Sequence, residues 1–241
     1  MASRWVVPAV VLGVLGSAAC GSDGRRGPST DVRVVAAAPA AMAKVRSCRV
    51  SITWNALGMP PVPEQGVIDF AHNRAMLNAS VPNGPDGKRA TVLELFDGST
   101  VYFKGLPGTD SDPSKQWTSA QLSGRTAYLD PAGSNPITSF AVLSIHGSVE
   151  VIGQERVRGV ATAHFREHLP MGGKPAQQDM WVDKKGLIRR LVVAGTFGTA
   201  VSGQFTSTQE YYDFGTSASI SIPPPSQIMT LPSSTADPAR P

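Results

Sequence analysis

A chain of 241 residues with 17% charged side chains and a formal net charge of +4 has room for one generous β domain or two small ones. Its 24 glycines and 20 prolines favour a turn-rich β protein over a helical bundle. The basic excess is mild and forms no dense Lys/Arg stripe interleaved with aromatics, which argues against a nucleic-acid partner. The two cysteines are Cys20 and Cys48.

One charge, Arg4, precedes an apolar run from Trp5 to Ala19. That run is shorter than the ~20 residues of a relaxed membrane span and fits the apolar region of an export signal ended by small residues. A cysteine directly after Ser17-Ala18-Ala19 resembles a bacterial lipobox, although Ser17 stands where leucine is usual. In a lipobox the thiol takes diacylglycerol, so Cys20 becomes a lipidated first residue. The alternative is an ordinary secreted protein with a chance cysteine. Residues 1–19 are expected to be a signal peptide and residues 20–34 the lipidated cysteine with a flexible tether. Arg25 and Arg26 either touch anionic headgroups or simply solubilise. With Cys20 so used, Cys48 has no disulfide partner, and the fold must rest on an apolar core. Cys48 itself reads as a small buried hydrophobe on a strand.

After the tether, "VRVVAAAPAAMAKVRS" predicts a helix over roughly 39–46, with Pro39 tolerated near its start and an earlier turn left open. From Ser47 the period changes to two. "CRVSITWN" sets Cys48, Val50, Ile52 and Trp54 against Arg49, Ser51 and Thr53. "GVIDFAHNRAMLNASV" predicts two strands around His72-Asn73. "ATVLELFDGSTVYFKG" predicts a hairpin around Asp97-Gly98, with Leu93 and Leu95 on one face of its first arm and Val101 and Phe103 on one face of its second. Loops at 82–88 and 105–114 punctuate the run. Residues 119–146 lose the alternation, and Asn135-Pro136 opens a second predicted helix through about His146, with Phe140 and Leu143 near helical spacing.

Strands resume in "SVEVIGQERVRGVATAHFREHL", "QDMWVDKKGLIRRLVVAG" and "GQFTSTQEYYDFG", with Lys185-Gly186 as the turn of the second. Most strands have a single apolar parity, the pattern of an antiparallel sheet covered on one face. Glu94, His164, Arg166 and Asp179 fall on the other parity. The total is about ten or eleven strands, the sheet ending near Ser221 and a Pro/Ser/Thr tail following at 230–241.

Catalytic chemistry finds little support. His164 and His168 are four apart on a predicted strand, a separation of ~13 Å that prevents them from sharing one metal. His72 and His146 stand alone in turn-like contexts. There is no His-Glu-x-x-His, Cys-x-x-Cys or Gly-x-Ser-x-Gly motif. "GGKPA" at 172–176 lacks the setting of a phosphate loop and reads as a hairpin tip. No cofactor is implied, and dispersed carboxylates alone leave an enzyme as the weaker reading.

"MWVDKKGLIRRL" resembles the Trp-Val-Asp-x-x-Gly-Leu-x-Arg-Arg hairpin of actinobacterial envelope lipoproteins of the LppX/LprG type. "VEVIGQERVRGVATAHFRE" is similar to the preceding strand pair of that family, and "YYDFGTSASISIPPPSQI" to its closing strand and Pro-rich exit. The resemblance covers about residues 35–229, which are assigned to one domain. It implies a LolA-like fold, a mainly β architecture in which two or three helices cover a curved antiparallel half-barrel. It also implies an apolar pocket that in several members holds acyl chains of envelope lipids. Ile52, Trp54, Phe70, Leu77, Leu93, Leu95, Val101, Phe103, Phe140, Leu143, Ala163, Phe165 and Val182 are the expected lining. Small residues such as Ala163 would leave room, while larger neighbours would fill it. The expected function is an envelope lipoprotein, held by Cys20 on the outer leaflet of the cytoplasmic membrane. It would carry a lipid or lipoglycan, with an envelope transporter as a further partner. The alternative is an interaction or sensory module with the same fold and a filled core.

Overall fold

Among the described residues, alternating strands, several of them joined by tight turns, build one sheet of twelve strands in which the twelfth and the seventh stand at the two ends. The computed structural model describes residues 30–56, 58–84, 86–107, 114–122, 136–137, 149–171, 174–196 and 203–230. One helix, α1 (Thr30–Lys44), precedes the strands. The first half of the sheet comprises β1 (Ser47–Ala56), β2 (Val62–Asp69), β3 (Arg74–Pro82), β4 (Arg89–Asp97), β5 (Thr100–Lys104) and β6 (Trp117–Gln121). The second half comprises β7 (Val149–Val157), β8 (Val160–Met171), β9 (Lys174–Asp183), β10 (Ile188–Thr196) and β11 (Gln204–Tyr212), and a short β12 (Ile228–Thr230) follows. Their order across the sheet is β12-β6-β5-β4-β3-β2-β1-β11-β10-β9-β8-β7. Every pairing is antiparallel except that of β12 with β6. The mainly β, curved and unclosed antiparallel architecture expected of a LolA-like chain is the one observed.

α1 covers one face of this sheet through Val35, Ala38 and Met42, all fully buried at helical spacing. It packs against β7 and β9. The helix is longer than the sequence pattern suggests and starts earlier, so residues 30–34 are helical. Pro39 lies inside it. Proline costs the helix one backbone hydrogen bond, and burial of the Val35–Met42 stripe offsets that loss. The second predicted helix falls outside the described residues except for Pro136 and Ile137, which form a turn. Phe140, Leu143 and His146 fall outside them as well.

The turns follow the local chemistry. Asn73 takes a left-handed conformation (φ 55°) between β2 and β3, where Asp69 accepts a hydrogen bond from the His72 backbone N–H at 3.2 Å. β2 and β3 approach closely at Gly66, where a methyl group would come within 1.9 Å of the Met76 carbonyl oxygen. No side chain fits there.

Two strands escape the sequence pattern. β6 is a five-residue strand that runs into the region read as losing alternation, and β12 lies beyond the predicted end of the sheet. The stretch between β11 and β12 is tied back to the sheet by hydrogen bonds. Gly215 donates its N–H to the Ser47 carbonyl at 2.8 Å, and the Arg74 guanidinium donates to the Ile220 carbonyl at 3.3 Å.

On the helix side, one core joins Cys48, Val50, Ile52, Trp54, Ile68, Ala75, Leu77, Val92, Phe96, Val101, Phe103 and their neighbours. Register shows which parity of each strand faces this core. On β4, Phe96 pairs with Ala75 and Val101, whereas Leu95 pairs with Met76 and Tyr102. Leu93 and Leu95 therefore point to the outer face, in correction of the lining inferred from sequence. Both parities of "VLELF" are apolar, so alternation alone left Glu94 as the discriminating residue. That carboxylate turns inward and is 3% exposed. Glu64 on β2, opposite Ile52 and Ala79, turns inward too and is 2% exposed.

Candidate functional site

The helix-side face is not equally filled along the sheet. Between α1 and the strands β7–β9 runs an open groove of about 690 Å³, within the ~300–1,000 Å³ common for small-molecule sites. Val34 and Ala37 of α1 form one wall. Ala161, Ala163 and Phe165 of β8 with Val182 of β9 form the floor, and Gln154 of β7 lies beside them. The groove exists because its floor is short. Ala161 and Ala163 occupy the inward positions of β8, where side chains as large as Phe165 would reach the helix. Arg33, Lys184 and Gly186 complete the rim.

The β9–β10 turn that carries this rim is built by the motif residues "WVDKKGLIRR". The Asp183 carboxylate accepts backbone hydrogen bonds from Lys185 at 2.8 Å and Leu187 at 3.1 Å, and pairs with the Arg189 guanidinium at 2.7 Å. Gly186 has φ +78°, and a methyl group there would stand 3.6 Å from the Ala41 side chain. The turn is thereby seated against the helix. Val182 enters the core, while Trp181 turns outward and stacks on the His164 ring with centroids 4.0 Å apart. The motif is thus a structural device that positions one end of the groove.

The outer face behind the groove holds a dense polar network. The His164 Nε2 lies 2.7 Å from Asp179 Oδ1, and its Nδ1 lies 3.0 Å from Glu155 Oε1. Trp181 Nε1–H donates to the second Glu155 oxygen at 3.1 Å, and the Arg166 Nε–H donates to Asp179 at 2.9 Å. Further along, Glu210 pairs with Arg190 at 2.6 Å and Arg158 at 2.9 Å. His164 is therefore structural, and His168 on the same strand is exposed. Three of these polar residues sit on the parity read as solvent-facing, yet His164 and Asp179 are almost completely buried.

Of the lining inferred from sequence, Ile52, Trp54, Leu77, Val101, Phe103, Phe165 and Val182 lie in the helix-side core, with Phe70 and Ala163 packed against it. Of those among the described residues, Ala163, Phe165 and Val182 border the groove. Sequence reasoning missed Arg33 and Val34, which it assigned to the tether, and Ala37. The signal was present in the helical spacing of Val35, Ala38 and Met42. Lys184 and Gln154 carried no such signal.

Two buried groups show what the interior does to ionisable side chains. Burial pushes the Cys48 thiol up to about 12, which leaves it an inert packing residue. Burial also pushes the Glu64 carboxyl up to about 8. The protonated acid is the form that this apolar setting favours.

No protein-family model matches the chain. An uncharacterized 31.2 kDa protein of Streptomyces griseus, from the rplA-rplJ intergenic region, is 32% identical over 108 residues; the match covers 34% of this chain and 34% of that protein. The chain thus spans about a third of the length of this curated relative. Among solved structures, LprF from Mycobacterium bovis aligns with a TM-score of 0.46 at 17% identity, over 80% of this chain and 95% of that one. Mycobacterium tuberculosis lipoprotein LppX aligns with a TM-score of 0.49 at 11% identity, over 80% of this chain and 100% of that one. The structural neighbours of this chain therefore include LppX, a lipoprotein of the type whose hairpin residues 180–191 resemble.

Proposed function

We propose that this protein is an envelope lipoprotein that binds the acyl chain of a lipid or lipoglycan in the groove beside α1 and carries it at the membrane surface. The observation that carries this reading is the groove itself, an apolar trough of about 690 Å³ floored by Ala161 and Ala163. Each methylene buried there contributes about 0.8 kcal/mol, so a chain binds usefully without a specific polar contact. The hairpin resemblance to LppX/LprG-type lipoproteins supports the same reading, as does the lipobox-like Ser17-Ala18-Ala19-Cys20. The protein binds and shields its cargo and performs no chemistry on it.

Native mass spectrometry of the purified protein tests the cargo. Acyl lipid should co-purify, and Ala163→Trp, which fills the groove, should remove it while the protein stays folded. Absence of bound lipid from the wild type, or unchanged binding in the variant, would overturn the reading in favour of a filled interaction module. The anchor is tested separately, because Cys20→Ala should shift the protein from the membrane fraction to the soluble or unprocessed fraction.

A further inference from the structure

The groove is not electrically neutral at its rim. Arg33 stands on the helix wall and Lys184 on the opposing β9–β10 turn, and both are exposed. Neither is engaged in a hydrogen bond or ion pair among the described residues. The one carboxylate in the lining, Asp183, does not neutralise them. It is committed to Arg189 and to the backbone of Lys185 and Leu187. Thr162, also in the lining, gives its hydroxyl hydrogen to the Glu155 carbonyl at 2.9 Å. Of the charged groups in the lining, the carboxylate is thus used internally, and the two cations are left to face whatever enters.

We infer that the groove selects phospholipids with a net negative headgroup over neutral or zwitterionic lipids, the acyl chain lying on Ala161 and Ala163 and the anionic headgroup meeting Arg33 and Lys184. The inference rests on the acyl-chain reading above and adds the headgroup class to it. Arg33 lies in the first turn of the 15-residue α1, so the positive end of the helix dipole reinforces its charge. Geometry supplies the source of the lipid. If Cys20 is the anchor, the ten residues to Thr30 span at most ~35 Å, which keeps the rim within reach of the bilayer's phosphate layer. Cations near an anionic surface attract it at short range, and salt screens that attraction within about 10 Å at moderate ionic strength.

The test compares phosphatidylglycerol with phosphatidylcholine carrying identical acyl chains, presented to the full chain and scored by native mass spectrometry at low and high salt. The wild type should prefer phosphatidylglycerol, and high salt should erase the preference. Arg33→Gln and Lys184→Gln should each weaken phosphatidylglycerol binding roughly five-fold, and the double variant roughly 25-fold, with phosphatidylcholine binding retained. Lys88→Gln, on the distant β3–β4 loop, should change nothing. Equal binding of the two lipids by the wild type, or an undiminished preference in the double variant, would overturn the headgroup inference and leave the acyl-chain reading standing. Failure of both lipids to bind would overturn the acyl-chain reading and this inference with it. The wild-type salt dependence needs no variant, so the inference stays testable even if a substitution disturbs folding.

Discussion

The two halves of the sheet solve the problem of a single-layer core in opposite ways. Across β1–β5 the helix-side face is filled by large side chains, among them Trp54, Leu77, Phe96 and Phe103. Across β7–β9 the same face carries Ala161 and Ala163 and leaves a groove. The loss of inner packing in the second half is accompanied by an outer face laced with His164, Asp179, Glu155, Trp181 and Arg166. Side chains on the outer face can brace a hairpin without entering the groove. The comparison teaches that an open interior requires its support from the far side of the sheet, and that the network behind the groove is structural.

Breaking that support should give the largest effect. Asp179→Ala leaves the buried His164 ring and the Arg166 guanidinium without their shared acceptor. It is expected to cost about 3–5 kcal/mol in urea unfolding, because an uncompensated buried polar group remains. A loss below about 1 kcal/mol would show that the outer network is decorative. The same bulky residue placed on each half sharpens the contrast. Ala79→Trp enters the filled half, where Ala79 is fully buried, and should cost about 1–3 kcal/mol through overpacking. Ala163→Trp enters the groove and should cost less than about 1 kcal/mol, since empty space accepts the ring. Equal losses would mean that the groove is not open in solution.

A further test concerns the filled half alone. The Glu64 carboxyl is raised from 4.5 to about 8 in the folded protein by burial. The folded state therefore holds a proton that the unfolded chain releases at lower pH. The stability that this group permits is full below about pH 4.5 and falls as pH rises toward 8. Glu64→Gln removes the titration while keeping size and shape. It should leave thermal stability nearly unchanged at pH 5 and raise it by about 1 kcal/mol or more at pH 8. A wild-type melting temperature that does not fall between pH 5 and 8 would contradict the buried placement of this carboxylate.

Much of the fold was legible because it is written in local chemistry. His72-Asn73, Asp97-Gly98 and Lys185-Gly186 mark turns through residues that tolerate left-handed backbone or cap it, and the strands beside them alternate. What alternation could not reveal was direction at Glu64 and Glu94. A carboxylate ordinarily points to water, and only the register with β1, β3 and β5 shows these two pointing inward. For the same reason Leu93 and Leu95 were placed on the wrong side. β12 was hidden because it is three residues long and pairs with β6, more than a hundred positions away in the chain.

By itself, then, the sequence determined the class of fold, the hairpins and the candidate anchor at Cys20, all of which depend on neighbouring residues and on period. The tertiary structure decided which face of each strand is inside, how far α1 extends and where the groove lies. Those outcomes depend on contacts between segments distant in sequence. Arg33 and Lys184 stand 151 positions apart in the chain, and only the docking of the β9–β10 turn against α1 makes them opposite rims of one groove.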